Sequence, residues 1–172
     1  MAGWFKRWGD RQRQKQAEIE QKQEELKRDA EDFVARWAAH REEIEALTND
    51  EAKERFFSDL EAGAFAVDNV GARANSRVSL SELPEVLRDL FSRFVRVTCI
   101  RSGYWIDQTE IERADLGFLI VGSADEETLL VRPPDDGIYS LDGVFLLEEK
   151  DLKTEEIIYP TIYHYLLAEN FD

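Results

Sequence analysis

A stretch with neither proline nor glycine runs from Asp10 to Leu47 and is filled with good helix formers. It has few options besides one long helix. Its first half, "RQRQKQAEIEQKQEELKR", has only Ala17, Ile19 and Leu26 as apolar residues, while Glu18/Lys22 and Glu24/Arg28 stand at the favourable i,i+4 spacing. That half is expected to be a solvated helix outside any core. In the second half Leu26, Ala30, Phe33, Val34, Trp37, Ala38 and Ile44 recur every three or four residues, an apolar stripe that is expected to pack.

Downstream, "LTNDEAKERFFSDLEAGAF" offers Thr48 as N-cap with Glu51 three residues on, a capping box, then Phe56, Phe57 and Leu60 on one side and Gly63 as the stop. This predicts a second helix over about 49–62. "VDNVGARANSRVSLS" lacks periodicity and reads as a loop, which places a boundary between a helical arm, residues 1–62, and a domain proper, residues 63–172. "SELPEVLRDLFSRF" restarts a helix, with Ser81 or a neighbour as cap, Pro84 in its first turn and Leu83, Val86, Leu87, Leu90, Phe91 and Phe94 as the buried face.

Beyond it the pattern turns β-like. "VRVTCIR" alternates, "GYWID" is aromatic, "LGFLIVGSA" and "TLLVRP" flank an acidic turn, and "GIYSLDGVFLLEE" reads as two strands meeting at Asp142-Gly143. "TEEIIYPTIYHYLLAEN" closes the chain as a helix with Pro160 in its first turn. Short connections favour an antiparallel meander. The predicted class is α+β: a long N-terminal helical arm, a four- to five-stranded mainly antiparallel sheet packed by helices, and a C-terminal helix.

Composition limits function more than it defines it. With 172 residues, 43% hydrophobic and 34% charged, the chain is long enough for a core and too charged to live in a bilayer. Apolar runs such as "GFLIVG" fall short of the roughly 20 residues of a membrane span and of the apolar block of a signal peptide. A single cysteine, Cys99, excludes an internal disulfide and a thiolate metal cluster. A cytoplasmic protein is expected.

The net charge is −15, unevenly spread. Residues 1–16 hold five basic side chains and one acidic; the other 156 residues hold 17 basic and 36 acidic. A body at −19 repels phosphate backbones, which argues against nucleic acid, and is drawn to basic surfaces.

Catalytic groups are scarce. His40 and His164 lie far apart and match no metal-ligand spacing, so no metal and no cofactor is expected. His164 among Tyr159, Tyr163 and Tyr165 is the place to look for an enzyme; the plainer reading is an aromatic helix edge whose polar tips reach solvent. Cys99, on an alternating strand, reads as a buried inert thiol. Asp125, Glu126, Glu127, Asp135 and Asp136 do not have calcium-loop spacing and read as solvated turn carboxylates, or as part of a surface that receives a basic partner. Interfaces favour aromatic anchors with charge at the rim, so Tyr104, Trp105, Asp125, Glu126, Asp135 and Asp136 are the expected partner-binding residues.

The opening "MAGWFKRW" sets Trp4, Phe5 and Trp8 on one face of a helical turn, flanked by Lys6 and Arg7. This is the pattern of an interfacial membrane anchor, and equally of a tip that docks on protein.

From "LPEVLRDLF" through "GYWI" and "GFLIVGSADEETLLVRPPDDGIYSLDG" to "YPTIYHYLL", the second half resembles the SUKH superfamily, the SMI1/KNR4-like domains. Leu83-Pro84, Val121-Gly122, Thr128 to Val131, Gly137 to Tyr139 and Tyr159 to Leu167 carry the resemblance. It implies a non-enzymatic binding domain: many bacterial members are immunity proteins that neutralise toxin domains, often nucleases, and others are regulatory interaction modules. The expected function is an acidic domain that binds a basic, nuclease-type toxin. The alternative is a peripheral membrane or scaffold protein anchored, or self-associated, through its N-terminal helix.

Overall fold

The computed structural model describes the backbone over residues 2–69, 77–124, 127–142 and 157–171, and the side chains over 14–69, 77–114, 116–122, 128–139 and 157–171. The chain divides into two compact units, Met1–His40 and Arg41–Asp172. The helix read as part of a 1–62 arm, residues 49–62, therefore lies within the second unit.

Helix α1 spans Ala2–Glu45, so it begins ahead of the glycine-free stretch. One or two glycines near a helix end cost about 1 kcal/mol each, too little to stop it. Along the first unit the helix is supported by its own surface pairs: Gln16 donates to Glu20 at 3.0 Å, Gln21 to Glu25 at 2.9 Å, and Lys27 lies 3.9 Å from Glu31. The expectation that its second half packs is met only toward its end, where Trp37 is half-buried and Ile44 joins the core. Leu26 is 68% exposed, Val34 61% and Phe33 45%. A lone helix cannot cover its own stripe, so burial needs a second surface. Beyond residue 40 the helix joins the main core, with Ile44 fully buried.

In the second unit the expected capping box closes α2, Asn49–Glu61: the Thr48 hydroxyl accepts from the Glu51 N–H, and the Glu51 carboxylate accepts from the Thr48 N–H at 2.8 Å. Gly63, at φ +83°, ends it in the left-handed region that glycine enters freely. Strand β1, Phe65–Asn69, follows, and its residues from Val67 on form a strand where a loop was expected. Its five residues show little alternation, and they form a strand because β2 offers a partner, with Phe65 opposite Cys99 and Val67 opposite Val97.

A 3-10 turn at Leu80–Glu82 and helix α3, Glu85–Arg93, come next. Ser79 caps the 3-10 turn, Pro84 stands at the N-cap of α3 ahead of its first turn, and Phe94 leaves the helix to open β2, Phe94–Cys99, because the run Phe94-Val95-Arg96-Val97-Thr98 suits an extended chain. Strand β3, Trp105–Asp107, completes an antiparallel sheet in the order β1-β2-β3.

The remaining strands make a second antiparallel sheet in sequence order: β4 (Glu112–Arg113), β5 (Leu119–Ala124), β6 (Glu127–Val131), β7 (Ile138–Asp142) and β8 (Ile157–Tyr159). The fold class is the expected α+β, with its strands divided between a three-stranded and a five-stranded sheet. The second strand read from "GVFLLEE" lies outside the described residues. Residues 157–159 are a strand and not the start of the last helix, since a residue before proline is steered from helical ψ and Tyr159 precedes Pro160. Helix α4, Ile162–Glu169, then forms.

The main core draws on both sheets and on α2, α3 and α4. On β6 Leu129 and Val131 face this core, while Leu130 joins Phe118 on the opposite face, beneath Tyr139. That two-sided burial is why "TLLV" shows no alternation.

Glu82 ties this framework together at the surface. Its carboxylate accepts from the Ser79 N–H and hydroxyl, each at 2.9 Å, and from the Arg113 guanidinium of β4. The Ser79 backbone bond, then Arg113 and the Ser79 hydroxyl, hold it at about 2, against an ordinary 4.5. A depressed carboxylate contributes stability above its ordinary pKa and loses it as pH falls through the folded value. In urea melts of wild type and Glu82→Gln, the gap in midpoint is therefore widest near neutral pH and closes as pH falls from 4.5 toward 2.

Candidate functional site

Residues 162–168 of α4 are all buried, so the helix is apolar in every direction and acts as core. The expected solvent-facing aromatic edge is thereby corrected. His164 is fully buried: its Nε2 lies 3.0 Å from the Leu47 carbonyl and its Nδ1 2.8 Å from the Thr161 hydroxyl. A carbonyl only accepts, so Nε2 donates to Leu47, and Nδ1 pairs with the Thr161 hydroxyl. Both ring nitrogens are thus engaged, and neither faces a site where a substrate could sit. Tyr163 donates instead to Asp89 at 3.1 Å, and Tyr159 packs edge-on against Tyr165.

Cys99 is buried, with its thiol 3.6 Å from the Leu166 carbonyl, and burial pushes it up to about 12. It is the inert thiol the alternation suggested. Among the described residues no group of three or more His, Cys, Asp or Glu is placed to hold a metal ion.

The expected partner-binding residues are dispersed. Trp105 is 46% exposed on β3, with the Arg96 guanidinium 4.8 Å from its ring centre and its indole donating to Glu110 at 3.3 Å. Tyr104 precedes it and is half-buried. Asp135 and Asp136 belong to the β6–β7 connection, on the other sheet; Asp135 is exposed, whereas Asp136 accepts from the Val86 N–H at 2.8 Å and caps α3. Asp125 and Glu126 lie outside the described residues. So do the side chains of Trp4, Phe5, Lys6, Arg7 and Trp8, whose backbone forms the first turns of α1.

A different surface gathers the features of a binding site. Ala52 and Phe56 bury one face of α2. Beside that face an open surface groove of about 590 Å³ is lined by Asp50, Lys53, Glu54, Phe57, Ser58 and Glu61, all on α2. Asp50, Glu54, Phe57 and Glu61 follow one another at steps of four, three and four, so they share one stripe. Phe57, on the apolar side with Phe56 and Leu60, packs at the margin of the core: it is half-buried, lies edge-on against Phe56, and has the Arg93 guanidinium 4.9 Å from its ring centre.

Asp89 of α3 anchors the margin of this surface. It meets Lys53 at 2.8 Å and Arg93 at 3.4 Å, besides accepting from Tyr163. Partial burial alone would raise its carboxyl, but the bonds from Lys53 and Tyr163 and the charges of Lys53 and Arg93 hold it below the usual range. Lys53 and Arg93 are thus engaged by Asp89, while Asp50, Glu54 and Glu61 face outward as exposed carboxylates. The helical spacing of these three acids about Phe57 was readable in the sequence, and so was the apolar side with Phe56, Phe57 and Leu60 that packs on the core.

If His164 is structural, His164→Ala strands the Leu47 carbonyl and leaves a void, and lowers stability by on the order of 3 kcal/mol in denaturant melts. A Thr161→Val variant, which keeps the shape and removes the hydroxyl, should lose less.

Among the described residues no helix is long and apolar enough to cross a membrane. No protein-family model, curated protein or solved structure matches the chain.

Proposed function

We propose that residues 41–172 are a non-enzymatic binding domain for a basic protein, and that α2 supplies its contact surface. The observation that carries this reading is the α2 stripe, three exposed carboxylates around a half-buried aromatic ring along an open groove. Aromatic anchors with charged rims are what protein interfaces select. Charge supports it: residues 1–40 hold nine basic and eight acidic side chains, whereas residues 41–172 hold 13 and 29, a net charge of −16. Such a field speeds encounter with a cationic partner and disfavours nucleic acid.

The resemblance to SUKH domains points to the partner's class, a nuclease-type toxin domain that must bear a basic surface to hold its own substrate. On this reading the protein acts in the cytoplasm by covering that surface, and no bond is made or broken. Trp105 with Tyr104 forms a second, smaller aromatic feature, which fits a rim contact.

Co-expression with basic nuclease toxin domains encoded nearby in the host genome tests the proposal. Wild type, and a version starting at residue 17, should restore growth and bind the toxin domain. Asp50→Lys combined with Glu54→Lys should weaken binding at least about tenfold, chiefly through a slower association rate. Full protection by the charge-reversed protein, together with loss of binding in Trp105→Ala, would move the contact surface to β3.

A further inference from the structure

We propose that the arms of two copies of this chain pair in antiparallel fashion, the basic first 16 residues of each lying along residues 17–32 of the other. Helix α1 is continuous over Ala2–Glu45, so the tip cannot turn back on its own helix. At about 100° per residue, every Trp, Phe, Ile, Leu and Val of residues 1–40 falls within one sector about 120° wide. Over residues 19–34 this sector is exposed, Ile19 at 50%, Leu26 at 68% and Val34 at 61%, while Trp37 beyond them is half-buried. Ile19, Leu26 and Phe33 are spaced seven apart, the interval at which two helices keep a seam facing each other.

Charge selects the occupant and its direction. Residues 1–16 carry five basic side chains and one acidic, a net +4; residues 17–32 carry three basic and seven acidic, a net −4. In a parallel pair +4 would face +4 and −4 would face −4. In an antiparallel pair with its dyad near residue 17 each segment meets its opposite, and the 4–8 segment with its three aromatics comes level with residues 26–30 of the second copy. The seam is then about 50 Å long and about 10 Å wide on each helix, which gives on the order of 1,000 Å² in total, the level a specific interface needs. The polar positions Gln12, Lys15, Gln16, Lys22 and Gln23 in the sector keep the pairing moderate in strength.

Sedimentation velocity on the full chain, over micromolar to submillimolar concentrations, should show a monomer–dimer equilibrium that weakens as salt rises. Leu26→Glu should weaken the dimer at least about tenfold while leaving the melting of the second unit unchanged. Spin labels on Glu31→Cys, with buried Cys99 unlabelled, should lie about 40 Å apart in the antiparallel dimer and under about 20 Å in a parallel one. A strictly monomeric chain, a short label separation, or a dimer indifferent to Leu26→Glu would each overturn the proposal. So would monomers that sediment with anionic phospholipid vesicles only while residues 1–16 are present, which would assign the tip to lipid.

Discussion

The second unit depends on one imidazole. His164 reaches across from α4 to the carbonyl of Leu47, in the turn between α1 and α2, and is steadied behind by Thr161. A buried carbonyl without a donor is costly, and the turn before a capped helix leaves such groups behind. By donating there, His164 fixes where α2 starts relative to α4, and the Phe56 and Tyr163 rings then close the space between the two helices at 5.3 Å. Once α2 is held on that side, with Phe57 also against Tyr163 at 6.1 Å, the carboxylates Asp50, Glu54 and Glu61 are left on the face presented outward.

Charge divides as the two units do. The arm is close to neutral in sum yet polar along its length, and nearly all of the excess acid lies in residues 41–172. An acidic surface at −16 is held together by local neutralisation where packing demands it, as Lys53 and Arg93 do for Asp89 and as Arg113 does for Glu82. The carboxylates left unneutralised around Phe57 are those that a cationic partner can use. The reactive-looking groups of the sequence have other work: the histidine is a strut and the cysteine a small apolar filler.

Legibility in the sequence followed how local each signal was. The α2 capping box, Gly63, and the strands from Val95 to Val131 were readable because each rests on a spacing or a residue type. Strands β1 and β8 were not, because three to five residues gain their structure from a neighbouring strand far along the chain. Asp136 looked like a solvated turn acid, since nothing near it reveals that it caps a helix fifty residues upstream. The apolar stripe of α1 was legible as a stripe, but periodicity alone does not say what covers it.

The claim that α2 is the contact surface is tested most directly by amide hydrogen exchange on the full chain, with and without a toxin domain against which it protects. The account predicts slowed exchange across residues 49–61 on binding, with α4 unchanged because it is already buried. Protection confined to β3 and the β6–β7 connection, with α2 unaffected, would contradict it.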